Sequence, residues 1–295
     1  MRRAIGLWTG LVVVALYLPV LCGVLASLGQ LDSFEETGRS FSEEAVTAFM
    51  VTNQDNPGSI ISSVQAVRDN VRSLREQVSA ELWEAVNAFY LELAARDLTR
   101  DLQRQRYELY GFIKERSQMI AGVADETMPR NEGWRFFTVG RQLERAIMGA
   151  RLLDVYFQDL PDTGRVEFHH WRNLLRAASA FEAYNRRQDS AMRPQDAVDY
   201  LLLDTEHPRS ILFCLREAER ELTVLESADP QQTALRATGR ARSLLEFSEP
   251  GERAGANRNA FLRSLILNVQ AAINGITTEY FAPSRPGALR ALEVG

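Results

Sequence analysis

The sequence predicts an all-α protein, a multi-helix bundle built from two related helical repeats. Apolar residues recur with a period near 3.6 throughout the chain, which is the spacing of one face of an α-helix. Alternating Val, Ile, Thr and Tyr segments joined by Asn-Gly or Asp-Gly turns, which indicate hairpins, are not found. With 295 residues, 45% hydrophobic and 25% charged, the chain has an ordinary globular composition.

The first element is an apolar N-terminal segment, residues 1–28, in which positions 4–28 carry no charge and follow Arg2 and Arg3. A run of this length can cross a bilayer. A buried bundle helix is the equal alternative, since Pro19 and Gly23 interrupt the run. A secretory signal is a third reading. We expect a cytoplasmic protein, with membrane association through residues 4–28 as the alternative.

Helix-start signals place the following elements. Asn56-Pro57 precedes one helix, with the proline expected in its first turn, and Ser79 precedes another. A long helix is predicted from about Thr99 to Ala124, with six apolar residues inward: Leu102, Leu109, Phe112, Ile113, Ile120 and Val123. Further helices are predicted near 166–187, 208–227, 232–247 and 254–280. The tail 282–295 has two prolines and is expected to be loose.

Two segments align without gaps at an offset of 151, "FMVTNQDNPGSIISSV" (49–64) and "YLLLDTEHPRSILFCL" (200–215). They share an aromatic start, the proline and the Ser-Ile that follows it. Self-similarity of this kind predicts duplication. We expect repeats at about 29–130 and 131–228, followed by C-terminal helices, within one helical domain covering 29–281.

Charged side chains enter a core-forming helix in "GRQLERAIMGARLLD" (140–154). On a helical wheel Asp154 lies within the apolar arc, Glu144 and Arg151 lie at its edge, and Arg141 and Arg145 lie further out. An isolated buried carboxylate is costly, so Asp154 must be paired or lie beside a wet cleft. We name Arg141, Glu144, Arg145, Arg151 and Asp154 the charged seam.

The turn before this helix adds Asp125, Arg130 and Glu132. Glu132 is placed to favour the positive end of the helix. The charged seam and this turn have two interpretations. They form either a structural ion-pair network or a site for a ligand or partner protein.

Charge and motifs limit the function classes. A net charge of −5 and a pI near 5.5 exclude the basic footprint of nucleic-acid binding. No Gly-rich phosphate loop with lysine is present. Glu167-x-x-His170 and Asp204-x-x-His207 faintly resemble di-iron spacing, so a helical metal-binding enzyme is the alternative class. We expect no metal, no cofactor and no catalytic residue.

The sequence resembles the bacterial alpha-E proteins over roughly residues 26–281. The resemblance lies in the Glu-Gly-Trp of 132–134, the Gly-Arg-x-Leu-Glu-Arg-Ala of 140–146 and the Pro-x-Ser-Ile of 57–60 and 208–211. It implies a non-catalytic helical accessory protein that acts with an ATP-grasp type peptide or amide ligase, with a transglutaminase-like peptidase as a further partner. A membrane-tethered scaffold is an alternative function, which differs from the accessory role mainly in where the protein is located.

One departure from the family pattern bears on the site. Family members open with a first copy of the Gly-Arg-x-x-x-Glu-Arg-Ala helix, whereas this chain has the apolar stretch 4–28 in that place. A site built symmetrically from both copies is therefore not expected here.

Overall fold

A computed structural model describes residues 25–26, 28–158, 168–187, 194–225, 227, 231–254 and 257–281. These residues contain fourteen α-helices and no β-strand, which confirms the all-α prediction. In chain order the helices are α1 (Leu31–Glu35), α2 (Glu43–Val51), α3 (Ile60–Ser73), α4 (Ala80–Ala94), α5 (Leu98–Arg104), α6 (Arg106–Thr127), α7 (Glu132–Gln158), α8 (Phe168–Ala177), α9 (Phe181–Arg187), α10 (Pro194–Leu203), α11 (Ile211–Val224), α12 (Thr233–Glu246), α13 (Pro250–Ala254) and α14 (Arg258–Tyr280).

Serine side chains begin three of the helices that position the core. The hydroxyls of Ser59, Ser79 and Ser210 accept hydrogen bonds from the third backbone N–H of α3, α4 and α11, the usual N-cap arrangement. The prediction for Ser79 is confirmed. The placement of Pro57 in the first turn of its helix is wrong, because Ser59 is the cap and Pro57 lies in the preceding turn.

The long helix expected from Thr99 to Ala124 is two helices, α5 and α6. Gln105 separates them with a non-helical backbone, φ −141° and ψ 37°. Helix α5 packs against α2, whereas α6 packs against α4, so the chain changes direction between the two contacts. The inward residues are placed correctly, since Leu102, Leu109 and Ile113 are buried and the other three are half-buried against the same core.

The segment predicted near 166–187 also divides, into α8 and α9. Ser179 takes a left-handed backbone with φ 54°. The N–H of Ala180 then bonds back to the carbonyl of Leu175 at 2.7 Å, which ends α8 and lets α9 start in a new direction. Non-glycine residues adopt this conformation rarely, so the periodicity could not predict the break.

The core has three parts. The largest is formed by α7 to α12 and α14, in which α7, α11, α12 and α14 pack as a ring of four neighbouring helices. A second core lies among α3 to α6 and receives Trp134 and Phe137 from the start of α7. A small third cluster joins Leu25, α1 and α2. Helix α7 therefore contacts both large cores.

The two aligned segments have the same local structure. In the first turn the N–H of Asp55 donates to Asn53 Oδ1 at 2.8 Å. At the matching position of the second turn the N–H of Glu206 donates to Asp204 Oδ1 at 2.9 Å. Helices α3 and α11 then begin 151 residues apart and are each fourteen residues long.

Two predictions fall outside the described residues. These are the placement of most of the apolar stretch 4–28 and the loose tail 282–295. In the part of the chain that the structure describes, no helix combines the length and apolar character needed to cross a bilayer.

Candidate functional site

Helix α7 carries the charged seam on a helix that is otherwise part of the core. The predicted apolar arc is buried, and its members Val139, Leu143, Ala146, Ile147, Ala150 and Leu153 are each at most 1% exposed. At the start of the helix, Phe136 packs edge-on to Tyr280 of α14 with ring centroids 5.0 Å apart. The seam therefore belongs to a helix whose position is fixed by packing.

Glu144 is buried, with 7% of its surface exposed. Burial raises the pKa of its carboxyl from the ordinary 4.5 to about 7, and the nearby Arg151 guanidinium opposes that rise. Burial also lowers the pKa of the Arg151 guanidinium, and the negative charge of Glu144 acts to raise it. These two residues are seven apart, two helical turns, as the spacing predicts. The charges of the two residues therefore act on each other along α7.

Asp154 is 9% exposed, so the expectation of a carboxylate within the buried arc is confirmed. It makes a polar or electrostatic interaction there. Arg151 also reaches Met148, whose sulfur lies 3.9 Å from its Nη1.

Arg141 and Arg145 join a second group of residues on the side of α7 that faces α11. The positive charges of Arg145, Arg209 and Arg141 each act to lower the pKa of the Cys214 thiol. We name these three arginines the arginine cluster. Burial lowers the pKa of each of the three guanidinium groups, and the charge of Arg145 lowers the pKa of the other two further. Burial raises the pKa of the Cys214 thiol to about 12, so the thiol stays neutral.

The turn before α7 lies at the end of the same region. Arg130 pairs with Asp125 at 3.4 Å and stacks on the Trp134 ring, 4.3 Å from its centroid. Both members of the pair are about half exposed. Asp125 also raises the pKa of Arg141, which connects this turn with the arginine cluster. Glu132 is exposed in the first turn of α7, where a carboxylate favours the helix dipole.

Sequence reasoning missed Arg209, Cys214 and one ion pair. Arg135 of α7 lies 2.5 Å from Glu221 of α11, and that glutamate is 4% exposed. A mid-helix glutamate within the apolar pattern of "ILFCLREAERELTV" is the signal that could have found the pair. Nothing in the sequence connects Arg209 with Arg145, because the effect of the Arg145 charge on the pKa of Arg209 depends on how α7 packs against α11.

Asp204 and His207, two residues of the proposed di-iron spacing, have other roles in the structure. Asp204 pairs with Arg187 and accepts from the backbone N–H of His207 at 2.5 Å, so its carboxylate forms the turn before α11. His207 is 8% exposed and its ring packs against Tyr200, 5.3 Å between centroids. Glu167 lies outside the described residues, within which no group of three or more metal-ligand side chains comes together.

Four Glu-Arg dipeptides occur in the chain, at 115–116, 144–145, 219–220 and 252–253. Glu144 is the buried glutamate of the four, since Glu115 and Glu252 are exposed and Glu219 is half-buried. Burial of both an acid and part of its arginine neighbour is unusual, which distinguishes the pair of α7.

Comparison with known proteins identifies the domain. A family described as a predicted alpha-helical domain with a conserved ER motif matches residues 15–281. An uncharacterized protein of Mycobacterium bovis is 21% identical over 295 residues, covering 93% of this chain and 33% of that protein. Two uncharacterized proteins of Mycobacterium tuberculosis match with the same identity and coverage. No solved structure matches.

This chain spans about a third of the length of those curated relatives. The family model, by contrast, covers most of this chain and includes the Glu-Arg pair of α7. The chain therefore belongs to the Alpha-E family.

Proposed function

We propose that this chain is a non-catalytic helical accessory protein that acts with an ATP-grasp type peptide or amide ligase. The observation that carries the proposal is the charged seam itself. Buried charges are costly unless something stabilises them, and here they lie on α7, which contacts both large cores. A partner that contacts the half-buried arginines of the seam, Arg141, Arg145 and Arg151, would be held in a fixed orientation relative to the entire bundle.

The curated relatives support an accessory role. About two thirds of each relative lies outside the region matched by this chain, so the domain occurs as one part of larger proteins. That arrangement suits a helical module that assists another domain. A transglutaminase-like peptidase is a further proposed partner.

We also propose that the domain arose by duplication of one helical unit. Two sets of three helices have the same packing order, namely α3, α4 and α6 in the first unit and α11, α12 and α14 in the second. In each set the first helix packs on the second and the second packs on the third. The matching turns before α3 and α11 support the same relation. In the second unit α7 completes the ring of four helices.

The accessory role is tested with purified proteins, this chain and the ATP-grasp type protein of the same genome. We expect co-elution in size-exclusion chromatography and a faster rate of ligase-dependent ATP hydrolysis when both are present. Glu144→Gln with Arg151→Gln should weaken the complex by at least about tenfold, since charged contacts are each worth about 1.5–3 kcal/mol.

The matched control is Glu115→Gln with Arg104→Gln, which removes the charges of an exposed glutamate of α6 and an exposed arginine of α5. This control should leave the complex unchanged. Equal binding by the seam variant and the control variant would reject the role of the seam. Absence of a complex with the native chain would reject the accessory role.

We propose a cytoplasmic location, with tethering through residues 4–28 as the alternative. The tethered form predicts that the native chain stays with membranes after carbonate extraction, whereas a chain lacking residues 1–24 is released. Release of both chains would reject the anchor hypothesis, because carbonate releases proteins that are not inserted into the bilayer. The described residues contain no helix able to span it.

A further inference from the structure

Helices α3 and α4 form a hairpin whose outer side carries aromatic rings and arginines. The two helices pack side by side and are joined by a short link. Trp83, Asn87 and Tyr90 are four and three residues apart on α4, so they share one face of that helix. Arg68 and Arg72 are four residues apart on α3 and share a face in the same way. The contacts described next show that these two faces meet.

Arginines from α3 and from the turn after it lie over the aromatic rings of α4. The Cζ atom of Arg68 is 4.5 Å from the centroid of the Tyr90 ring and 6.0 Å from that of Trp83. The Cζ atom of Arg75 is 5.0 Å from the centroid of the Trp83 ring. Arg68 Nε donates to Asn87 Oδ1 at 2.8 Å. The guanidinium group of Arg68 is therefore held in one orientation by the protein itself.

These arginines have no negative partner within the protein. In the part of the chain that the structure describes, no carboxylate forms an ion pair with Arg68, Arg72 or Arg75. Asp69, the carboxylate next to Arg68 in the sequence, lies about 100° further around α3. It accepts a hydrogen bond from Gln65 Nε2 at 2.8 Å. A guanidinium group that stacks on a ring keeps N–H donors at its edge for a carboxylate.

Stacked arginines elsewhere in the same core have an internal counter-charge. Arg96 and Arg116 have their Cζ atoms 4.2 and 5.5 Å from the centroid of the Phe112 ring. Arg96 pairs with Asp101 at 3.1 Å, and Arg116 pairs with Glu92 at 2.6 Å. The hairpin of α3 and α4 therefore has a similar stacking geometry without the carboxylates that accompany it around Phe112.

The side chains of this surface are open to solvent to different degrees. Arg72 and Arg75 are exposed, whereas Arg68, Trp83 and Tyr90 are half-buried. We name these five residues the α3–α4 face. Arginine, tryptophan and tyrosine are the residues that contribute most often to binding energy at protein interfaces. The composition of the face is therefore that of a protein-binding surface, and its charge calls for an acidic partner.

We propose that the α3–α4 face binds an acidic segment of a partner protein. Carboxylates of the segment pair with the guanidinium groups, each of which can hold two oxygens. Arg68 and Arg72 are one helical turn apart, about 6 Å along the axis, so the segment carries two carboxylates at roughly that spacing. An apolar side chain beside them packs on the rings of Trp83 and Tyr90.

The choice of a protein segment follows from the charge of the whole chain. A nucleic-acid strand would bring continuous negative charge to a chain whose net charge is −5, whereas an acidic segment brings only a few charges. The α3–α4 face lies on a different pair of helices from the charged seam of α7. The inference is therefore independent of the accessory role, and it is tested on this chain alone.

The test measures binding of a labelled peptide to the full chain by fluorescence anisotropy. The probe is a short synthetic peptide of glutamates and leucines, and its matched control has glutamine in place of every glutamate. We expect the glutamate peptide to bind with a dissociation constant below roughly 1 mM. Added sodium chloride should weaken this binding, because salt screens charges at a protein surface. The glutamine peptide should bind at least about tenfold more weakly, since it lacks the charged contacts.

Variants assign the binding to the α3–α4 face. Arg72→Gln and Arg75→Gln should each weaken binding about tenfold, as expected for loss of one charged hydrogen-bonding group. Both side chains are exposed, so neither substitution opens the core. Arg72→Lys should recover only part of the affinity, because lysine keeps the charge and loses the paired donors. Arg240→Gln, at an exposed arginine of α12, is the matched control and should bind like the native chain.

Several results would overturn the proposal. These are no binding of the glutamate peptide at up to roughly 1 mM, equal binding of the glutamate and glutamine peptides, or binding that Arg72→Gln and Arg75→Gln leave unchanged. Single-stranded RNA that binds the same face more tightly than the glutamate peptide would also overturn it, because the face would then serve a nucleic acid.

Discussion

The Glu144→Gln variant is expected to gain about 2 to 3 kcal/mol of stability relative to the native protein between about pH 5 and about pH 8. The reason is that burial raises the pKa of the Glu144 carboxyl from 4.5 to about 7 in the folded protein. The unfolded chain releases this proton near pH 4.5, whereas the folded chain retains it.

The sign follows from proton binding. Between the unfolded and the folded pKa the native state holds more protons than the unfolded state, so the stability of the native protein falls as pH rises. The stabilising contribution is complete below the unfolded pKa and is lost once pH exceeds about 7. Glutamine is neutral at every pH and mimics the protonated acid, so the stability of the variant does not fall in this way as pH rises.

Urea unfolding of both proteins at several pH values measures the difference directly. Other titrating groups, including His207, whose pKa burial lowers, contribute equally to both proteins and cancel. Glu115→Gln, at the exposed glutamate of another Glu-Arg dipeptide, should leave the pH profile unchanged. Parallel profiles for Glu144→Gln and the native protein would show that Glu144 does not titrate in this range.

Replacing Gly275 with alanine is expected to lower the free energy of unfolding by about 2 kcal/mol, the usual range for overpacking. A Cβ atom at this position would lie 3.0 Å from both the Cα and the backbone N of Ala234. Those atoms belong to the backbone of α12 and cannot move aside as a side-chain tip can. Helices α12 and α14 would have to separate, and α12 also packs on α11.

Gly111→Ala is the matched control for this substitution. Gly111 lies within α6, and a Cβ atom there would meet nothing within 4 Å. Alanine should raise the stability at that position by about 1 kcal/mol through helix propensity alone. Similar gains at both positions, measured by chemical denaturation, would contradict the close approach of α12 and α14.

Local chemistry made parts of the fold predictable. The period of the apolar residues predicted the helices, and Ser79 marked the start of α4. Each of these signals depends only on residues that are close together in the sequence. The buried arc of α7 and the burial of Asp154 followed from a helical wheel. The break at Gln105 was not predictable, since no glycine or proline marks it and the change of direction serves contacts with α2 and α4.

The candidate site divides in the same way. The residues Glu144 and Arg151 could be paired from their spacing on a single helix, and the electrostatic interaction between them agrees. The ion pair between Arg135 and Glu221 joins residues 86 positions apart. The relative placement of α7 and α11 is what creates that contact, and no local pattern encodes it.

By itself, the sequence determined that this protein is helical, where several of its helices begin, and which face of α7 enters the core, because these depend on interactions within one or two helical turns. The tertiary structure alone decided that Arg135 of α7 pairs with the buried Glu221 of α11. The physical reason is that electrostatic interactions depend on distance in space, and packing brings together side chains that are distant in the chain.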